Sequence, residues 1–286
     1  MKILITGANG QLGTDVLRLF SNKGHEVVGL NRTQLDITDG KSCSDTITEL
    51  QPDAILHCAA YTAVDNAETD IDNAYLVNAI GTRNIAAAAE RVKAKICYIS
   101  TDYVFDGTNS SPYYEYDNTN PLTVYGKSKR AGEHLVQSLC SRWFIVRTSW
   151  VFGVAGTNFV KTMLKLGKER DCLQVVNDQW GSPTYTWDLA SFLEELVLSE
   201  KYGIYHASNT GICTWYEFAQ AIFELSDIPV IVEPCTTEQF QRPAVRPRYS
   251  AMESMAIRVN GFDPLRSWRE ALEEYINKYK FRIGDE

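Results

Sequence analysis

The chain has 286 residues, of which 44% are hydrophobic and 22% are charged, enough for one large α/β domain or for a domain with a smaller companion. Its 28 basic and 36 acidic side chains give a formal charge of -8, which argues against a nucleic-acid partner because phosphate contacts need clustered Lys and Arg. No apolar run approaches the roughly 20 residues of a membrane span, and the seven cysteines form no C-x-x-C pair, so we expect a cytoplasmic protein with reduced thiols and no membrane partner.

Strands and helices alternate along the first half of the chain. Short apolar runs predict strands at residues 2–6, 26–30, 54–58, 96–100 and 144–148. Helical spacing of apolar residues or a high alanine content predicts helices at residues 12–20, at residues 73–91 and from Tyr125 onward. Because strands that alternate with helices pair in parallel, the pattern predicts an α/β fold with a doubly wound parallel sheet covered on both faces.

The alternation becomes less regular after Ser149. The predicted elements there are helices at residues 158–168, 186–199 and 268–279, a strand at residues 173–176, and Pro-rich connections at residues 228–229 and 242–248. No flexible linker separates the two halves of the sequence. We therefore predict a first domain over residues 1–150 and a smaller α/β region over residues 151–286, interleaved with the first and packed on it.

A glycine-rich turn lies between the first predicted strand and the first predicted helix. Gly7, Gly10 and Gly13 have the spacing G-x-x-G-x-x-G. Gly7 permits a tight turn, Gly10 lets the backbone approach a pyrophosphate, and Gly13 permits close packing of the helix on the strand. The first N–H groups of the helix would then face the phosphates. An ordinary βα turn is the alternative, but the position in the first β-α-β unit favours a dinucleotide.

The residues after the second strand bear on which dinucleotide binds. An acidic residue there would accept a hydrogen bond from a free ribose 2′-hydroxyl, whereas this chain has Asn31 and Arg32. Asn31 can bond a hydroxyl, and Arg32 can pair with a 2′-phosphate, although a solvated surface Arg is the simpler alternative. NADPH is therefore favoured over NADH, and use of both stays open. Asp36 and Ile37 follow where they would meet the amino group and the face of the adenine.

Tyr125 and Lys129 have the spacing Y-x-x-x-K on a predicted helix, so they lie one turn apart on the same face. A tyrosine has an ordinary pKa of about 10, and a nearby ammonium group would lower that pKa toward the range useful for acid–base chemistry. Such a pair often occurs by chance on a surface. Here it comes shortly after Thr101 at the end of a predicted strand, where open α/β sheets bind ligands, and this combination favours a functional site.

These features together resemble the extended short-chain dehydrogenase/reductase family. The segments that carry the resemblance, besides the glycine turn and the Tyr-Lys pair, are residues 59–65 (AAYTAVD), 78–84 (NAIGTRN), 100–107 (STDYVFDG), 121–127 (PLTVYGK), 147–153 (RTSWVFG) and 181–184 (GSPT). The resemblance is strong over about the first 190 residues and weak thereafter. It implies a Rossmann-type domain over residues 1–150 that binds NAD(P) and a substrate-binding region over residues 151–286.

The resemblance also implies a reaction, the NAD(P)H-dependent reduction of a dTDP-sugar. The substrate would be dTDP-4-dehydro-6-deoxy-L-mannose, whose C4 keto group is reduced to give dTDP-L-rhamnose for cell-surface polysaccharide. Tyr125 would protonate the oxygen at C4, Lys129 would hold the nicotinamide ribose and lower the pKa of Tyr125, and Thr101 would hydrogen-bond the keto oxygen.

The implied site extends beyond these three residues. The candidate cofactor-binding residues are Gly7, Gly10, Gln11, Leu12, Gly13, Asn31, Arg32, Asp36, Ile37, Ala60, Tyr61, Thr62, Tyr125 and Lys129. The candidate substrate-binding residues are Thr101, Asp102, Trp150, Asn158 and Arg246. Simple packing is the alternative for Trp150, and a surface charge is the alternative for Arg246 and its neighbour Arg248.

Departures from sister enzymes narrow the expectation. Dehydratases of the family typically have Asp-Glu after the active-site Thr, and epimerases often have Ser-Ser in this segment. Here Asp102 is followed by Tyr103, which favours plain reduction. Some reductases bridge a homodimer with Mg²⁺, and Asp15 lies where one relative carries a ligand, but a helix N-terminal acid explains Asp15 equally well. No metal ligand is assigned, and both Mg²⁺ and a homodimer stay open.

Two other functions stay open at this point. The first is a reductase of another 4-keto sugar nucleotide. The second is a non-catalytic regulatory subunit like that of methionine adenosyltransferase, against which the presence of Thr101, Tyr125 and Lys129 argues.

Overall fold

The computed structural model describes residues 1–283, so the last three residues of the predicted region 151–286 lie outside the described residues. The strands are β1 (Lys2–Thr6), β2 (Glu26–Leu30), β3 (Ala54–His57), β4 (Lys95–Thr101), β5 (Trp143–Thr148), β6 (Val151–Phe152), β7 (Cys172–Val176), β8 (Trp180–Gly181), β9 (Thr184–Tyr185), β10 (Gly203–His206), β11 (Cys213–Thr214) and β12 (Ile231–Cys235). The helices are α1 (Gln11–Asn22), α2 (Gly40–Leu50), α3 (Val64–Ala67), α4 (Ile71–Tyr75), α5 (Thr82–Arg91), α6 (Val124–Leu139), α7 (Phe159–Glu169), α8 (Thr186–Leu198), α9 (Trp215–Ser226), α10 (Met255–Val259) and α11 (Trp268–Ile283).

The centre of the fold is a six-stranded sheet with the order β2-β1-β3-β4-β5-β10, in which every neighbouring pair is parallel. The chain leaves β1 toward one edge to form β2 and then returns to form β3 on the other side of β1. The carboxyl ends of β1 and β3 therefore border the crevice where open α/β sheets bind ligands. The predicted doubly wound α/β fold is confirmed.

Helices bury the sheet on both faces, as the sequence pattern predicts. All four residues of β3 are buried. On one face, α1 and α8 pack against the sheet through residues such as Phe20 and Leu193. On the other face, α2, α5 and α6 do so through residues such as Ile85 and Val136. This two-sided burial explains why the strands are nearly continuous apolar runs.

A second hydrophobic cluster is built from elements outside this sheet. Helices α7, α9 and α11 contribute Val160, Phe218 and Leu272 to it, and β6 contributes Phe152. However, α8 and β10 follow residue 151 in the sequence and pack with the first half of the chain. The two halves are thus interleaved in space, and the boundary at residue 150 stays a prediction.

The predicted helix at residues 73–91 is interrupted by a π-helical turn. It begins as α4, passes through the turn Leu76–Gly81 and continues as α5. A π turn changes the direction in which the following side chains point, and such turns are frequent at functional sites. This one contains Asn78, whose side chain is 1% exposed.

The sequence-based prediction lacks two of the longer strands, β10 and β12, and the two-residue strands β6, β8, β9 and β11. β12 pairs in parallel with β7 and contains Pro234, which has no N–H to donate. Pro is tolerated on an edge strand because one side of the strand needs no partner. Residues 228–229 form the irregular connection that the sequence predicts, and the short edge strand β12 begins directly after it.

A capping box at the start of α9 supports a testable prediction about stability. The hydroxyl of Thr214 accepts a hydrogen bond from the N–H of Glu217 at 3.1 Å, and the Glu217 carboxylate accepts one from the N–H of Thr214 at 2.8 Å. We expect Thr214→Ala to lower the free energy of unfolding by about 1–2 kcal/mol, because the side-chain cap is lost. Urea denaturation measures the change. The exposed Thr48→Ala in α2 is the control, expected to change stability by less than about 0.5 kcal/mol. Equal stabilities for both variants would contradict the assigned role of the cap.

Candidate active site

A cleft of about 1290 Å³ lies along the carboxyl ends of β1, β3 and β4 and continues to α7 and β7. Gly7 and Gly10 line one end, Thr101 lines the middle, and Arg170 and Gln174 line the other end. The cleft therefore joins the crevice of the sheet to the second hydrophobic cluster, and both halves of the chain contribute to its walls.

The glycine turn lets the backbone come unusually close to the neighbouring loop. Gly7 has a φ of +67°, and a Cβ there would lie 2.8 Å from Cα of Ala59. A Cβ on Gly13 would lie 2.2 Å from the carbonyl oxygen of Gly7, so Gly13 packs the helix on the turn without lining the cleft. α1 has Gly10 at its N-cap, with no side-chain cap among the described residues. Its first N–H groups are therefore open donors beside the cleft, which fits a pyrophosphate.

The segment after β2 places three of its predicted residues in the cleft and one outside it. Arg32 is exposed and lines the cleft, as does Asp36. Asn31 does not line the cleft: its Oδ1 accepts bonds from the N–H and hydroxyl of Thr33 and from the N–H of Gln34. The carbonyl oxygen of Asn31 thus caps a local turn, and the expected contact of Asn31 with a ribose hydroxyl stays a prediction.

The loop after β2 that is predicted to meet the adenine is held by hydrogen bonds from Thr38 within the loop and from Asn84 on α5. Hydrogen bonds from the N–H and hydroxyl of Thr38 hold the pKa of Asp36 below its usual range. Ile37 lines the cleft beside Asp36, and the Asn84 side chain donates to the carbonyl of Ile37 at 2.9 Å. Asn84 belongs to the sequence segment 78–84 but had no predicted role.

The loop after β3 forms a side wall of the cleft. Ala60, Tyr61 and Thr62 all line it, as predicted. The backbone of Tyr61 is fixed by Asn78, whose Oδ1 accepts from the Tyr61 N–H at 2.8 Å and whose Nδ2 donates to the Tyr61 carbonyl at 3.0 Å. Asn78 was not predicted as a site residue, although it begins the recognised segment 78–84.

Thr101 and Tyr125 meet in the middle of the cleft. Thr101 is the last residue of β4 and donates its hydroxyl hydrogen to Oδ1 of Asp102 at 3.0 Å. Burial raises the pKa of the Tyr125 phenol to about 12, although a hydrogen bond with Thr101 acts to lower that pKa. The ring of Tyr103 packs edge-on against that of Tyr125, with centroids 5.6 Å apart. A protonated phenol and a second hydroxyl therefore face the same part of the cleft.

Lys129 lines the cleft but does not act on Tyr125 as expected. Its Nζ donates to the carbonyl of Ile99 at 2.6 Å and lies 4.0 Å from the centroid of the Tyr98 ring. Burial lowers the pKa of Lys129 to about 7. The expectation that Lys129 lowers the pKa of Tyr125 does not hold in this structure. The ammonium group bonds a main-chain carbonyl, and burial has the largest effect on the pKa of the phenol.

Asp102 lies beneath the reacting hydroxyls. Its side chain lines the cleft and is 2% exposed, and this burial raises its pKa to about 6. Hydrogen bonds from Ser250 and Thr101 oppose the rise. The carboxyl group is thus close to a change of charge near neutral pH.

Trp150 both lines the cleft and packs against other residues. Its indole stacks on that of Trp215, with ring centroids 3.6 Å apart and planes at 10°. On Gly181, a Cβ would come within 2.6 Å of the Trp150 ring, so only glycine fits there. Trp150 also has a φ of +47°, a conformation that is costly for a bulky residue. Trp215 lines the cleft too and was missed, since no sequence motif surrounds it.

The side chain of Asn158 takes part in three hydrogen bonds, and its predicted contact with the substrate stays a prediction. Its Nδ2 donates to Oε1 of Gln11 at 2.8 Å and to the carbonyl of Gly153 at 2.9 Å, and its Oδ1 caps α7 by accepting from the N–H of Lys161. Asn158 is therefore engaged in structure and does not line the cleft. Through Gln11, which does line it together with Leu12, Asn158 ties the glycine turn to the second half of the chain.

Arg246 lines the cleft and pairs with a residue of the opposite wall. Its Nη2 donates to Oδ2 of Asp65 at 2.8 Å. Arg248 is exposed and outside the cleft lining, which leaves it as a surface charge. Arg170 and Arg242, which sequence reasoning missed, line the cleft near its far end.

Asp15 is buried where α1 meets α8. Its Oδ2 accepts a hydrogen bond from the hydroxyl of Thr186, and its side chain is 2% exposed. This position does not present Asp15 to a metal ion shared with a second chain. Over residues 1–283, no group of three or more His, Cys, Asp or Glu side chains is arranged to hold a metal ion.

Comparison with known proteins gives close matches over almost the whole chain. The RmlD substrate binding domain family matches residues 1–281. The spore coat polysaccharide biosynthesis protein SpsK of Bacillus subtilis (strain 168) is 46% identical over 277 residues, covering 97% of each chain. A dTDP-4-dehydrorhamnose reductase of Streptomyces griseus is 44% identical over 288 residues, covering 98% of this chain and 95% of the relative.

A solved structure agrees with these matches. The crystal structure of dTDP-4-dehydrorhamnose reductase from Bacillus anthracis str. Ames in complex with NADP has a TM-score of 0.95 and 46% identity, covering 97% of this chain and 99% of that chain. The part of this chain that the structure describes contains no helix long and apolar enough to cross a membrane. The resemblance to the extended short-chain dehydrogenases/reductases is thus confirmed, and the chain belongs to the RmlD substrate binding domain family.

Proposed function

We propose that this protein uses NADPH to reduce the C4 keto group of dTDP-4-dehydro-6-deoxy-L-mannose, that is dTDP-4-dehydro-L-rhamnose, and so forms dTDP-L-rhamnose for polysaccharide biosynthesis. The observation that carries the proposal is the meeting of Thr101 and Tyr125 in a cleft that begins at the glycine turn. The 44% identical reductase and the NADP-bound reductase structure support the same reaction. A homodimer stays a prediction.

NADPH fits one end of this cleft. The open N–H groups at the start of α1 suit the pyrophosphate, and the exposed guanidinium of Arg32 suits a 2′-phosphate. Asp36 and Ile37 suit the amino group and the face of the adenine. Lys129, in the middle of the cleft, suits the nicotinamide ribose, and bound NADPH supplies the hydride.

The side chains in the middle of the cleft do the remaining chemistry. Tyr125 gives its hydroxyl proton to the C4 oxygen as that oxygen gains negative charge, and its raised pKa keeps the phenol protonated before the reaction. Thr101 turns the hydroxyl hydrogen that it gives to Oδ1 of Asp102 in the free protein toward the same oxygen, and so orients the carbonyl. The phenolate left on Tyr125 recovers a proton from solvent.

The rest of the cleft lining suits a sugar nucleotide. Arg246 is placed for a diphosphate, and Trp150 offers part of its indole to a sugar ring or a base. Asp102, with its buried carboxyl group, suits a sugar hydroxyl. A purely regulatory subunit has no need for the Thr101–Tyr125 pair, which is why we prefer an enzyme.

The direct test is the consumption of NADPH by the purified protein when dTDP-4-dehydro-L-rhamnose is supplied. We expect stoichiometric loss of NADPH absorbance, with dTDP-L-rhamnose identified by chromatography and NMR. Turnover only with a different 4-keto sugar nucleotide would replace the substrate and keep the chemistry. NADPH binding without turnover of any such sugar would favour the regulatory function instead.

Replacing Tyr125 by Phe tests the proposed acid. We expect Tyr125→Phe to lower kcat by about 10²–10⁴-fold, because only the transferable proton is removed. The dissociation constant for NADPH should change little, and fluorescence titration measures it. Tyr116→Phe is the matched control, since Tyr116 is 68% exposed and lies outside the cleft lining. Near-normal turnover by Tyr125→Phe would exclude the phenol as the acid.

Replacing Arg32 by Ala tests the cofactor preference. We expect Arg32→Ala to weaken NADPH binding about tenfold, equivalent to about 1.4 kcal/mol, and to leave NADH binding nearly unchanged. Calorimetric titration with each dinucleotide measures both constants. Arg83→Ala serves as the control, because Arg83 is exposed and outside the cleft lining. Equal losses for the two dinucleotides would remove Arg32 from the phosphate site.

A further inference from the structure

A fully buried ion pair lies directly beneath the catalytic centre. The carboxylate of Glu133 is 0% exposed and accepts two parallel hydrogen bonds from Nε and Nη2 of Arg147, each at 2.9 Å. Arg130 adds a second cation, with Nη1 3.3 Å from Oε2 of Glu133. Arg147 also hydrogen-bonds the ring of His206. The proposed reduction assigns no step to this network.

The network is joined to the catalytic residues through β4 and α6. The hydroxyl of Ser100 donates to Oε1 of Glu133 at 2.6 Å. Ser100 lies between Ile99, whose carbonyl accepts the Lys129 bond, and Thr101. Glu133 also lies one helical turn beyond Lys129 on α6, so the two side chains share a face of that helix.

Burial of these charges needs an explanation beyond stability. Moving a carboxylate and a guanidinium out of water costs at least about as much free energy as their mutual attraction provides. Apolar side chains of similar size often stabilise a core equally well. Lys129 is buried too, and its desolvation favours the neutral amine. A fixed negative charge one turn away opposes that loss of the ammonium proton.

The other groups near Lys129 do not supply this charge. The titratable groups that face Lys129 are His57 and Cys58 at the end of β3, Tyr98 on β4, and Tyr125 and Glu133 on α6. Burial keeps His57 neutral by lowering its pKa to about 3, and keeps the Cys58 thiol protonated by raising its pKa to about 12. Burial likewise keeps the phenols of Tyr98 and Tyr125 protonated. The carboxylate of Glu133, which is paired with Arg147, is therefore the member of this set that carries negative charge.

We propose that Glu133 is a positioning residue for the reduction: its buried carboxylate keeps Lys129 cationic, and a cationic Lys129 is what binds the nicotinamide ribose. Arg147 and Ser100 hold the carboxylate in place, and Arg130 partly offsets its charge. This proposal rests on the role that the proposed function gives to Lys129.

The test separates the charge of Glu133 from its shape. Glu133→Gln keeps the shape and removes the charge, whereas Glu133→Asp keeps the charge and changes the shape. The titration of Lys129 is followed in the free protein by the ¹³Cε NMR signal that is lost in Lys129→Arg. We expect the midpoint to move toward acid by about one pH unit in Glu133→Gln, and to stay near the wild-type value in Glu133→Asp. The pH at which NADPH affinity falls should move with it.

A purely structural role predicts a different pattern. Equal midpoints in the Gln and Asp variants would overturn the proposal. Should both variants fail to fold, because Arg147 loses its partner, Arg130→Gln decides the question. Arg130 is half-buried, and removing its positive charge should move the Lys129 midpoint toward alkali. An unmoved midpoint there would equally reject the charge network. A wrong substrate would show separately. The wild-type protein would then not turn over the proposed sugar, while the Lys129 midpoint would still differ between the wild-type protein and these variants.

Discussion

The side-chain amide of Asn78 connects the elements on which the geometry of the cleft depends. It bonds both backbone groups of Tyr61 on the wall after β3, and its Nδ2 also donates to the hydroxyl of Ser128 at 3.0 Å. Ser128 directly precedes Lys129 on α6. Hydrogen bonds of a buried amide are strong because the surroundings screen them little. One side chain therefore fixes the wall proposed to hold the cofactor relative to the helix that carries the proposed acid, and the π-helical turn is what places that side chain between them.

Features set by neighbouring residues could be predicted from the sequence, and features set by distant contacts could not. The glycine turn and the spacing of Tyr125 and Lys129 are local patterns, and the alternation of strands and helices determines the sheet. Trp215, in contrast, reaches the cleft by stacking on Trp150, a contact that no local pattern encodes. Likewise, no local pattern shows that the side chain of Asn158 bonds Gln11, Gly153 and the first turn of α7.

The distribution of charge in the cleft differs from that of the whole chain. The protein has a formal charge of -8, yet Arg32, Arg170, Arg242 and Arg246 all line the cleft. Cationic side chains in a cleft with low-dielectric walls attract anions regardless of the net charge. A dinucleotide and a sugar nucleotide both carry their negative charge on phosphates. The acidic composition of the chain is thus compatible with the binding of two phosphorylated small molecules.

The ion pair between Arg246 and Asp65 has a consequence for binding at this end of the cleft. Asp65 accepts from Arg246 through Oδ2 and from the N–H of Ala244 through Oδ1, so it ties the loop that carries Arg246 to the wall after β3. The guanidinium is therefore already ordered before a substrate arrives, and little side-chain entropy remains to be lost on binding. Arg246 has donors beyond those facing Asp65, and an arginine can serve two anions at once. The diphosphate of the proposed substrate could thus join the pair without breaking it, with Asp65 as the residue that orients the cation.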